Sequence, residues 1–347
     1  MASTKEDGIA AAAAQQVSAM SLNESSAEGK DNETENNEAP ARFCSACGTK
    51  SDAVKKCTSC KCVWYCDRDC QNRHRKEHKK ECKRIKKELD KRGGKLDVGT
   101  EEDIGPLGKL PPQEECPICM HLMPLNERLQ RYMVCCGKRV CSGCDYQHEI
   151  KNGLTCAFCR ESIPTCNEVT FVQLRKRVEL KDLEALFSMA MSHGYGELGL
   201  PVDQAKCIEL LRQSADLGYH SAQYQLGVFH FTGVMGLERS DEKAIRYYKE
   251  AAEGGEIHAL HNVGNAEVRN GNDIAAMRHW RLSASGGHKK SMHNLVSCFE
   301  DGLLHHADLA ESLQAMYRSR AEMKSEHRDQ HIAHLKKTGK YNAEYEY

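Results

Sequence analysis

Cysteines and one histidine recur in closely spaced pairs near the start of the chain, and their types and spacing are those of metal ligands. The pairs are Cys44-x2-Cys47, Cys57-x2-Cys60, Cys66-x3-Cys70 and His78-x3-Cys82. Two thiolates in a C-x2-C turn can reach one ion, and x3 spacing places two ligands one helical turn apart, so we expect short helices at the last two pairs. Sulfur and imidazole favour zinc over calcium or magnesium, which prefer oxygen, with an iron–sulfur centre as the alternative. Eight ligands are enough for two tetrahedral zinc sites.

The spacing of this first cluster, with Trp64 and Tyr65 before the third pair and Gln71 after it, resembles the MYND zinc finger, a small protein-interaction module. The resemblance covers residues 44–82 and implies that the pairs interleave. It assigns one ion to Cys44, Cys47, Cys66 and Cys70 and the other ion to Cys57, Cys60, His78 and Cys82. Cys62 is left without a site. We expect His74 at the surface, with a ligand role as the alternative, and Arg75 stands where many members of the family carry a tryptophan.

A second cysteine cluster follows, with the pairs Cys116-x2-Cys119, Cys135-Cys136, Cys141-x2-Cys144 and Cys156-x2-Cys159. This order is similar to that of a RING finger, in which the first and third pairs share one zinc ion and the second and fourth pairs share the other. The resemblance implies the ligand sets Cys116, Cys119, Cys141, Cys144 and Cys135, Cys136, Cys156, Cys159. A RING finger usually has Cys-Gly-His where this chain has Cys136, Gly137 and Lys138, and a protonated lysine cannot bind a metal. We therefore expect Cys135 to replace the histidine.

The resemblance to RING fingers implies a ubiquitin ligase activity that needs no nucleophile in the finger. In such ligases an apolar residue between the first two ligands contacts the ubiquitin-conjugating enzyme, and a basic residue after the eighth ligand bonds both that enzyme and ubiquitin. Ile118 and Arg160 occupy these positions, and they are the residues on which catalysis would depend. The alternative is that Ile118 packs against Leu122 and Phe158, that Arg160 is solvated, and that the finger is an interaction module.

Small residues open four similar segments in the second half of the chain, at Ala185, Ala222, Ala259 and Ser291. Apolar or small residues at i, i+4 and i+7 predict paired helices, and glycines mark the helix ends. The pattern resembles Sel-one-like repeats, a branch of the tetratricopeptide-type helical hairpins. The resemblance implies a stacked solenoid that binds a protein or peptide. The third copy has fewer residues between its helices, which predicts a shorter loop.

Other side chains of the helical region have less specific patterns. We expect its aromatic residues to fill the core between hairpins, its histidines to lie at the surface, and the three unpaired cysteines to be ordinary buried thiols. The aromatic residues are Phe229, Tyr247, Tyr248 and Trp280; the histidines are His258, His261, His279, His288, His293, His305 and His306; the cysteines are Cys166, Cys207 and Cys298.

The composition of the 347-residue chain limits the possible functions. Its 49 Lys and Arg balance 50 Asp and Glu, which argues against nucleic acid as a partner. Aromatic residues make up only 6%, which is low for one large core. No apolar run is long enough to cross a membrane. Nineteen cysteines without a secretion signal indicate metal-binding thiolates in a reducing compartment, so we expect an intracellular protein, cytoplasmic or nuclear.

The sequence therefore predicts a multidomain protein with two zinc-stabilised fingers, a MYND-like one and a cross-braced RING-like one, and an all-α solenoid. Four zinc ions would supply the folding energy of the fingers, on the order of 10 kcal/mol or more per site. The predicted function is a candidate ubiquitin ligase or, alternatively, a non-enzymatic scaffold; partners are proteins or peptides, including a conjugating enzyme. The predicted segments are a disordered tail (1–41), the MYND-type finger (42–83), a charged linker (84–113), the RING-type finger (114–162), the helical repeats (178–327) and a flexible tail (328–347).

Overall fold

The computed structural model describes residues 43–49, 51, 53–91, 93 and 107–341. The disordered tail predicted for residues 1–41 lies outside these residues, as does part of the predicted linker. The chain divides into two compact units. The described residues of the first unit lie within Tyr132–Arg139 and His148–Ala276, and those of the second lie within Glu24–Arg131, Val140–Gln147 and Met277–Tyr347. No helix in the described part combines the length and the apolar character needed to cross a membrane.

Four short strands, twelve α-helices and one 3-10 helix (Glu127–Leu129) form the regular structure of the described residues. The strands are β1 (Lys55–Lys56), β2 (Trp64–Tyr65), β3 (Gln130–Met133) and β4 (Lys138–Cys141); β1 pairs antiparallel with β2, and β3 forms a second two-stranded sheet with β4. The helices are α1 (Arg68–Lys91), α2 (Ser142–Asn152), α3 (Asn167–Glu179), α4 (Leu183–Tyr195), α5 (Gln204–Asp216), α6 (His220–Thr232), α7 (Asp241–Glu253), α8 (Ile257–Arg269), α9 (Asp273–Ser285), α10 (Lys289–Glu300), α11 (His306–Glu322) and α12 (Glu326–Lys337).

Local capping signals begin and end the helices of the first unit. The side chains of Asp182, Asp203 and Ser240 accept hydrogen bonds from backbone N–H groups three residues later, at the starts of α4, α5 and α7. Helices α4 and α6 end at Gly196 and Gly233, whose φ angles of 72° and 69° are left-handed. These signals produce the helical hairpins α4–α5 and α6–α7 that the sequence predicts.

Close approach of paired helices requires a small residue at the crossing point. A Cβ atom at Gly227 of α6 would lie 2.9 Å from the Tyr248 ring and 3.2 Å from the carbonyl oxygen of Ala244, both in α7. Phe229 and Tyr248 are buried in the core of this unit, together with Leu226. The expected packing of these aromatic side chains between helices is therefore confirmed. Helix α9 begins soon after the end of α8, as the shorter loop of the third copy predicts.

Two helices extend into segments that the sequence predicts as a linker and a flexible tail, and the structure corrects both predicted boundaries. The sequence predicts short helices at pairs three and four, but Cys66 precedes the helix, and the other three ligands lie on α1, one helix of 24 residues that continues into the predicted linker from residue 84. Its later part is helical because Ile85 and Leu89 are buried. Helix α12 occupies much of the predicted flexible tail from residue 328, where Arg328 and Ile332 are buried.

The burial of several polar residues and cysteines also differs from expectation. His261, His288 and His306 are buried rather than at the surface. Each of them is tied by hydrogen bonds; for example, His288 accepts from the backbone N–H of Ser291 at the start of α10. Cys207 and Cys298 are buried thiols as expected, whereas Cys166 is exposed because it precedes α3 as its N-cap residue.

Candidate metal centres

The structure brings sixteen predicted ligands together in four groups of four, and within each group the ligand atoms lie within 4.8 Å of one another. The groups are Cys44, Cys47, Cys66, Cys70; Cys57, Cys60, His78, Cys82; Cys116, Cys119, Cys141, Cys144; and Cys135, Cys136, Cys156, Cys159. They are the same sets that the two family resemblances imply. Each group is named by its first residue. The Cys135 group lies in the first unit and the other three lie in the second.

The sulfur–sulfur distances fit a tetrahedral zinc ion. Zn–S bonds of about 2.3 Å place neighbouring sulfur atoms about 3.8 Å apart. The measured Sγ–Sγ distances, one per group, are 3.6 Å for Cys47 and Cys66, 3.8 Å for Cys57 and Cys82, 3.9 Å for Cys119 and Cys141, and 3.6 Å for Cys136 and Cys156. Soft thiolate donors at this spacing suit zinc, which would hold together finger segments that have little apolar core of their own.

Four of the five C-x2-C pairs lie in turns that share one backbone geometry, whereas Cys141-x2-Cys144 runs into α2. The residue after the second cysteine is left-handed in each turn, and its N–H donates to the carbonyl oxygen of the first cysteine at 2.8–3.0 Å. These residues are Gly48, Lys61, Met120 and Arg160, with φ angles of 75°, 57°, 56° and 62°. Left-handed non-glycine residues are costly, so a bound ion would offset strain in three of the turns.

The Cys44 group joins a turn before β1 to the start of α1. The Cys70 N–H donates to the Asp67 side chain at 2.7 Å, which fixes the first turn of α1. Arg73 donates to the Cys70 sulfur at 3.1 Å and places a positive charge beside the thiolates. Burial raises the pKa of Cys47, but its hydrogen bonds with Thr49 and with other cysteines of the group lower it overall to about 6. Burial raises the pKa of Cys66 to about 12 and that of Cys70 to about 11, so these two thiols would need a bound metal ion to ionise at neutral pH.

The Cys57 group takes two ligands from the turn between β1 and β2 and two from α1. The His78 Nε2 atom lies 3.2 Å from the Cys60 sulfur, and its Nδ1 atom lies 3.3 Å from the Tyr317 hydroxyl of α11. Hydrogen bonds from Cys60 and Cys82 hold the pKa of Cys57 far below its usual value. The same contacts raise the pKa of Cys60 and Cys82. A metal ion would take the place of the shared protons.

His74 is buried and does not belong to any of the four groups, so both its expected surface position and a ligand role are corrected. Its Nδ1 atom lies 3.0 Å from the Tyr65 hydroxyl, its ring stacks on His78 at 5.6 Å, and the Tyr317 ring meets it edge-on at 4.1 Å. Burial, reinforced by the neighbouring His78, lowers its pKa to about 4. His74 is thus a neutral packing residue behind the Cys57 group. Its spacing of one helical turn from His78 was the only sequence signal.

Cys62, which has no metal group, makes a contact with the helical region instead. Its sulfur lies 3.2 Å from the Nε2 atom of His306, which in turn lies 3.0 Å from the carbonyl oxygen of Cys60. Both residues are buried. This contact holds the start of α11 against the MYND-like finger, and nothing local in the sequence indicates it.

The Cys116 group joins the first turn of the second cluster to the end of β4 and the start of α2. The backbone N–H of Cys141 donates to the Cys116 sulfur at 3.4 Å. Hydrogen bonds from Cys141 and Cys144 hold the pKa of Cys116 far below its usual value. On the other side of the group, Arg328 of α12 donates to the Cys119 sulfur at 3.7 Å.

The Cys135 group contains both adjacent cysteines, while Lys138 is exposed and outside the group. Gly137, with a φ of 71°, is the turn residue after them, and a Cβ atom there would overlap the guanidinium of Arg177. Burial raises the pKa of Cys135, with further contributions from Cys159 and Cys156. Cys135 therefore needs a metal ion to ionise at neutral pH.

The two residues singled out for ligase activity are both at the surface. Ile118 is 41% exposed, which is high for a large apolar side chain. Arg160 is exposed in the left-handed position after Cys159. Because Lys61 and Met120 adopt the same backbone in other turns, the conformation of Arg160 belongs to the turn itself.

Comparison with known proteins identifies two kinds of module. The MYND finger family matches residues 44–82, and the Sel1 repeat family matches residues 183–219 and 220–256. A Sel1 repeat protein from Oxalobacter formigenes is similar with 24% identity and a TM-score of 0.40, over 51% of this chain and 69% of that chain. The protein c5321, a protective antigen of uropathogenic Escherichia coli strains with an SLR fold, is similar with 19% identity and a TM-score of 0.40, over 58% of this chain and 42% of that chain.

The chain thus has a zinc-finger-like N-terminal region with a MYND finger, followed by an all-helical Sel1 solenoid. Both kinds of module typically mediate contacts between proteins. Together with the cysteine groups, they define a zinc-binding protein-interaction protein.

Proposed function

We propose that the finger of residues 114–162 recruits a ubiquitin-conjugating enzyme, while the MYND finger and the Sel1 repeats select the protein to be modified. In this reaction a substrate amine attacks the carbonyl carbon of the ubiquitin thioester, and the thiol of the conjugating enzyme leaves. The observation that carries the proposal is the alternating order of ligands. The first and third cysteine pairs form one group and the second and fourth form the other, as a cross-braced RING finger requires.

Exposed side chains at the two expected contact positions support this proposal. Ile118 is available to contact the conjugating enzyme. Arg160 offers a planar guanidinium with several N–H donors, which suits a residue that bonds two partners at once.

We further propose that each of the four groups holds one zinc ion and that the protein works inside the cell, where thiols stay reduced.

Reconstituted ubiquitination tests the ligase function. Full-length protein is mixed with activating enzyme, a panel of conjugating enzymes, ubiquitin and ATP, and chain formation is followed over time. We expect chains with at least one conjugating enzyme and a loss of tenfold or more with Ile118→Ala or Arg160→Ala, because each variant removes a proposed contact but no metal ligand. Zinc content is measured for every variant.

Matched controls separate these contacts from general effects. Leu180→Ala removes a large exposed apolar side chain, and Lys181→Ala removes a cation from a left-handed position with a φ of 55°. Both should retain wild-type activity. Absence of chains with every conjugating enzyme, at full zinc content, would contradict the ligase function.

A non-enzymatic scaffold is the second candidate. Lys138 favours it, because this exposed residue stands where a RING finger has a histidine ligand, and so does Ala157, where many ligases have proline. A scaffold would bind partner proteins through the MYND finger and the Sel1 repeats without forming chains.

A further inference from the structure

Arg328 of α12 is a buried cation. It donates hydrogen bonds to three backbone carbonyl oxygens, which are uncharged, and to the sulfur of one cysteine. The residue is 1% exposed. Its Nη1 atom donates to the carbonyl oxygens of Leu122, at 2.6 Å, and of Met323. Its Nη2 atom donates to the carbonyl oxygen of His121 at 3.4 Å and to the Cys119 sulfur at 3.7 Å. In the part of the chain that the structure describes, no carboxylate forms an ion pair with it.

The same unit shows how this chain otherwise compensates a buried arginine. Arg281 has a side chain that is 2% exposed, and it pairs with Asp308 at 3.3 Å and with Glu311. Carbonyl oxygens accept hydrogen bonds from the Nη atoms of Arg328, while its buried Nε has no hydrogen-bond partner among the described residues. None of these oxygens can neutralise the charge, and an uncompensated buried charge is strongly unfavourable. Arg328 therefore needs an anion from another source.

The Cys116 group supplies that anion when it holds a metal ion. Four thiolates around a divalent ion carry a net charge of about −2. The Cys119 sulfur of this group accepts a hydrogen bond from the Arg328 guanidinium. Such a charge-assisted N–H···S contact stabilises the thiolate form of the cysteine. With neutral thiols, the charge of Arg328 would have no partner.

The backbone around Arg328 is built to hold it at this place. A Cβ atom at Gly143, which directly precedes the ligand Cys144, would lie 2.5 Å from the backbone nitrogen of Arg328, so only glycine allows α12 to lie against α2. Ser325 caps α12 by accepting a hydrogen bond from that same nitrogen. The Nδ1 atom of His331, one turn further along α12, lies 3.0 Å from the Ser142 hydroxyl.

We propose that Arg328 is the charge partner of the metal-loaded Cys116 group and that α12 is part of this metal centre. The inference rests on the proposed zinc occupancy of the group. It implies a reciprocal coupling: metal binding stabilises the docked α12, and docked α12 strengthens metal binding by the same factor. The C-terminal helix is then a positioning element of the finger, although 209 positions separate Cys119 and Arg328.

Metal affinity of full-length variants tests the proposal. The protein is loaded with cadmium-113, the signal of the Cys116 group is assigned with Cys119→Ser, and metal is withdrawn by a competing chelator. Arg328→Gln should weaken binding at this group about 10–100-fold, the usual effect of losing an outer-shell partner, and leave the other three signals unchanged. Lys337→Gln, which removes an exposed cation from the same helix, should match the wild type. Unchanged affinity in Arg328→Gln would overturn the proposal.

Hydrogen exchange tests the reverse direction of the coupling. Cys119→Ser should speed amide exchange across residues 326–337, whereas Cys159→Ser, in the Cys135 group, should not.

Arg328→Lys serves as a second variant if Arg328→Gln fails to fold, because it retains the charge without the planar guanidinium. It should bind metal at the Cys116 group within about tenfold of the wild type, and a complete loss would contradict a charge role. If Cys119→Ser releases no metal, the zinc assignment fails too, whereas metal binding that is indifferent to Arg328 refutes only this inference. Neither result depends on ubiquitin transfer.

Discussion

Tyr317 supports His78, a candidate metal ligand, from a distant part of the chain. Its hydroxyl lies 3.3 Å from the Nδ1 atom of His78, although 239 positions separate the two residues. A hydrogen bond to one ring nitrogen of a ligating histidine fixes the orientation of the other, here Nε2, which faces Cys60. Because Tyr317 is buried against His74 as well, it also fills the space behind the metal group.

We expect Tyr317→Phe to weaken zinc binding at the Cys57 group about 10–100-fold, because the ring remains and only the hydrogen bond to His78 is lost. Chelator competition on the full-length protein measures the effect. Tyr195→Phe is the control, since Tyr195 is exposed and lies in the first unit. Equal zinc affinity of Tyr317→Phe and wild type would show that the hydroxyl has no role in the site.

The ligands could be predicted from sequence, but their supporting residues could not. Cysteine pairs have a local spacing that reports their chemistry directly, and the MYND pattern sets which pairs combine. Tyr317 and His306 have no such spacing, because they act through contacts that only the folded chain creates. His74 shows the intermediate case: its helical spacing relative to His78 was visible, but its burial beneath Tyr317 was not.

The helices also differ in how far they could be predicted from the sequence. The hairpins α4–α5 and α6–α7 follow from apolar periodicity and capping residues that lie within about forty positions of one another. Helix α12 has few apolar residues, so its sequence alone predicts a solvent-exposed tail. In the structure it packs against the finger through Arg328 and His331. We expect its helical state to depend on a finger that occurs much earlier in the chain, because Arg328 and His331 contact that finger.

Gly143→Ala tests the close contact between α2 and α12. The added Cβ atom would meet backbone atoms of His327 and Arg328, which cannot move without shifting the helix, so we expect a destabilisation of about 1–3 kcal/mol and faster amide exchange in α12. Gly153→Ala, just after α2, meets no atom within 4 Å and should leave α12 exchange unchanged despite its left-handed φ of 72°. Unaltered α12 exchange in Gly143→Ala would contradict the observed packing.

Two kinds of stabilisation operate in this protein. Buried apolar side chains hold together the hairpins of the first unit, including Leu211, Leu226 and Tyr248. We expect the cysteine-rich segments to depend on bound metal, because many of their buried side chains are candidate ligands. Removal of metal should therefore affect the two kinds of region unequally.

We expect native mass spectrometry to count four zinc ions and exhaustive chelation to unfold residues 43–91, while residues 183–253 retain slow amide exchange. The physical reason is that apolar burial survives chelation and the thiolate sites do not. Hydrogen exchange before and after chelation, followed by zinc readdition as the control for reversibility, measures the difference. Persistent slow exchange in α1 after complete metal removal would disprove metal-dependent folding.

The dependence of His78 on Tyr317 also has a consequence during protein synthesis. A ribosome that adds about 5–20 residues per second completes Tyr317 roughly ten to fifty seconds after His78. For that interval the nascent MYND finger has its four pairs of ligands but not the tyrosine that orients one of them. We therefore expect a newly emerged finger to hold zinc less tightly at the Cys57 group until Tyr317 has been synthesised.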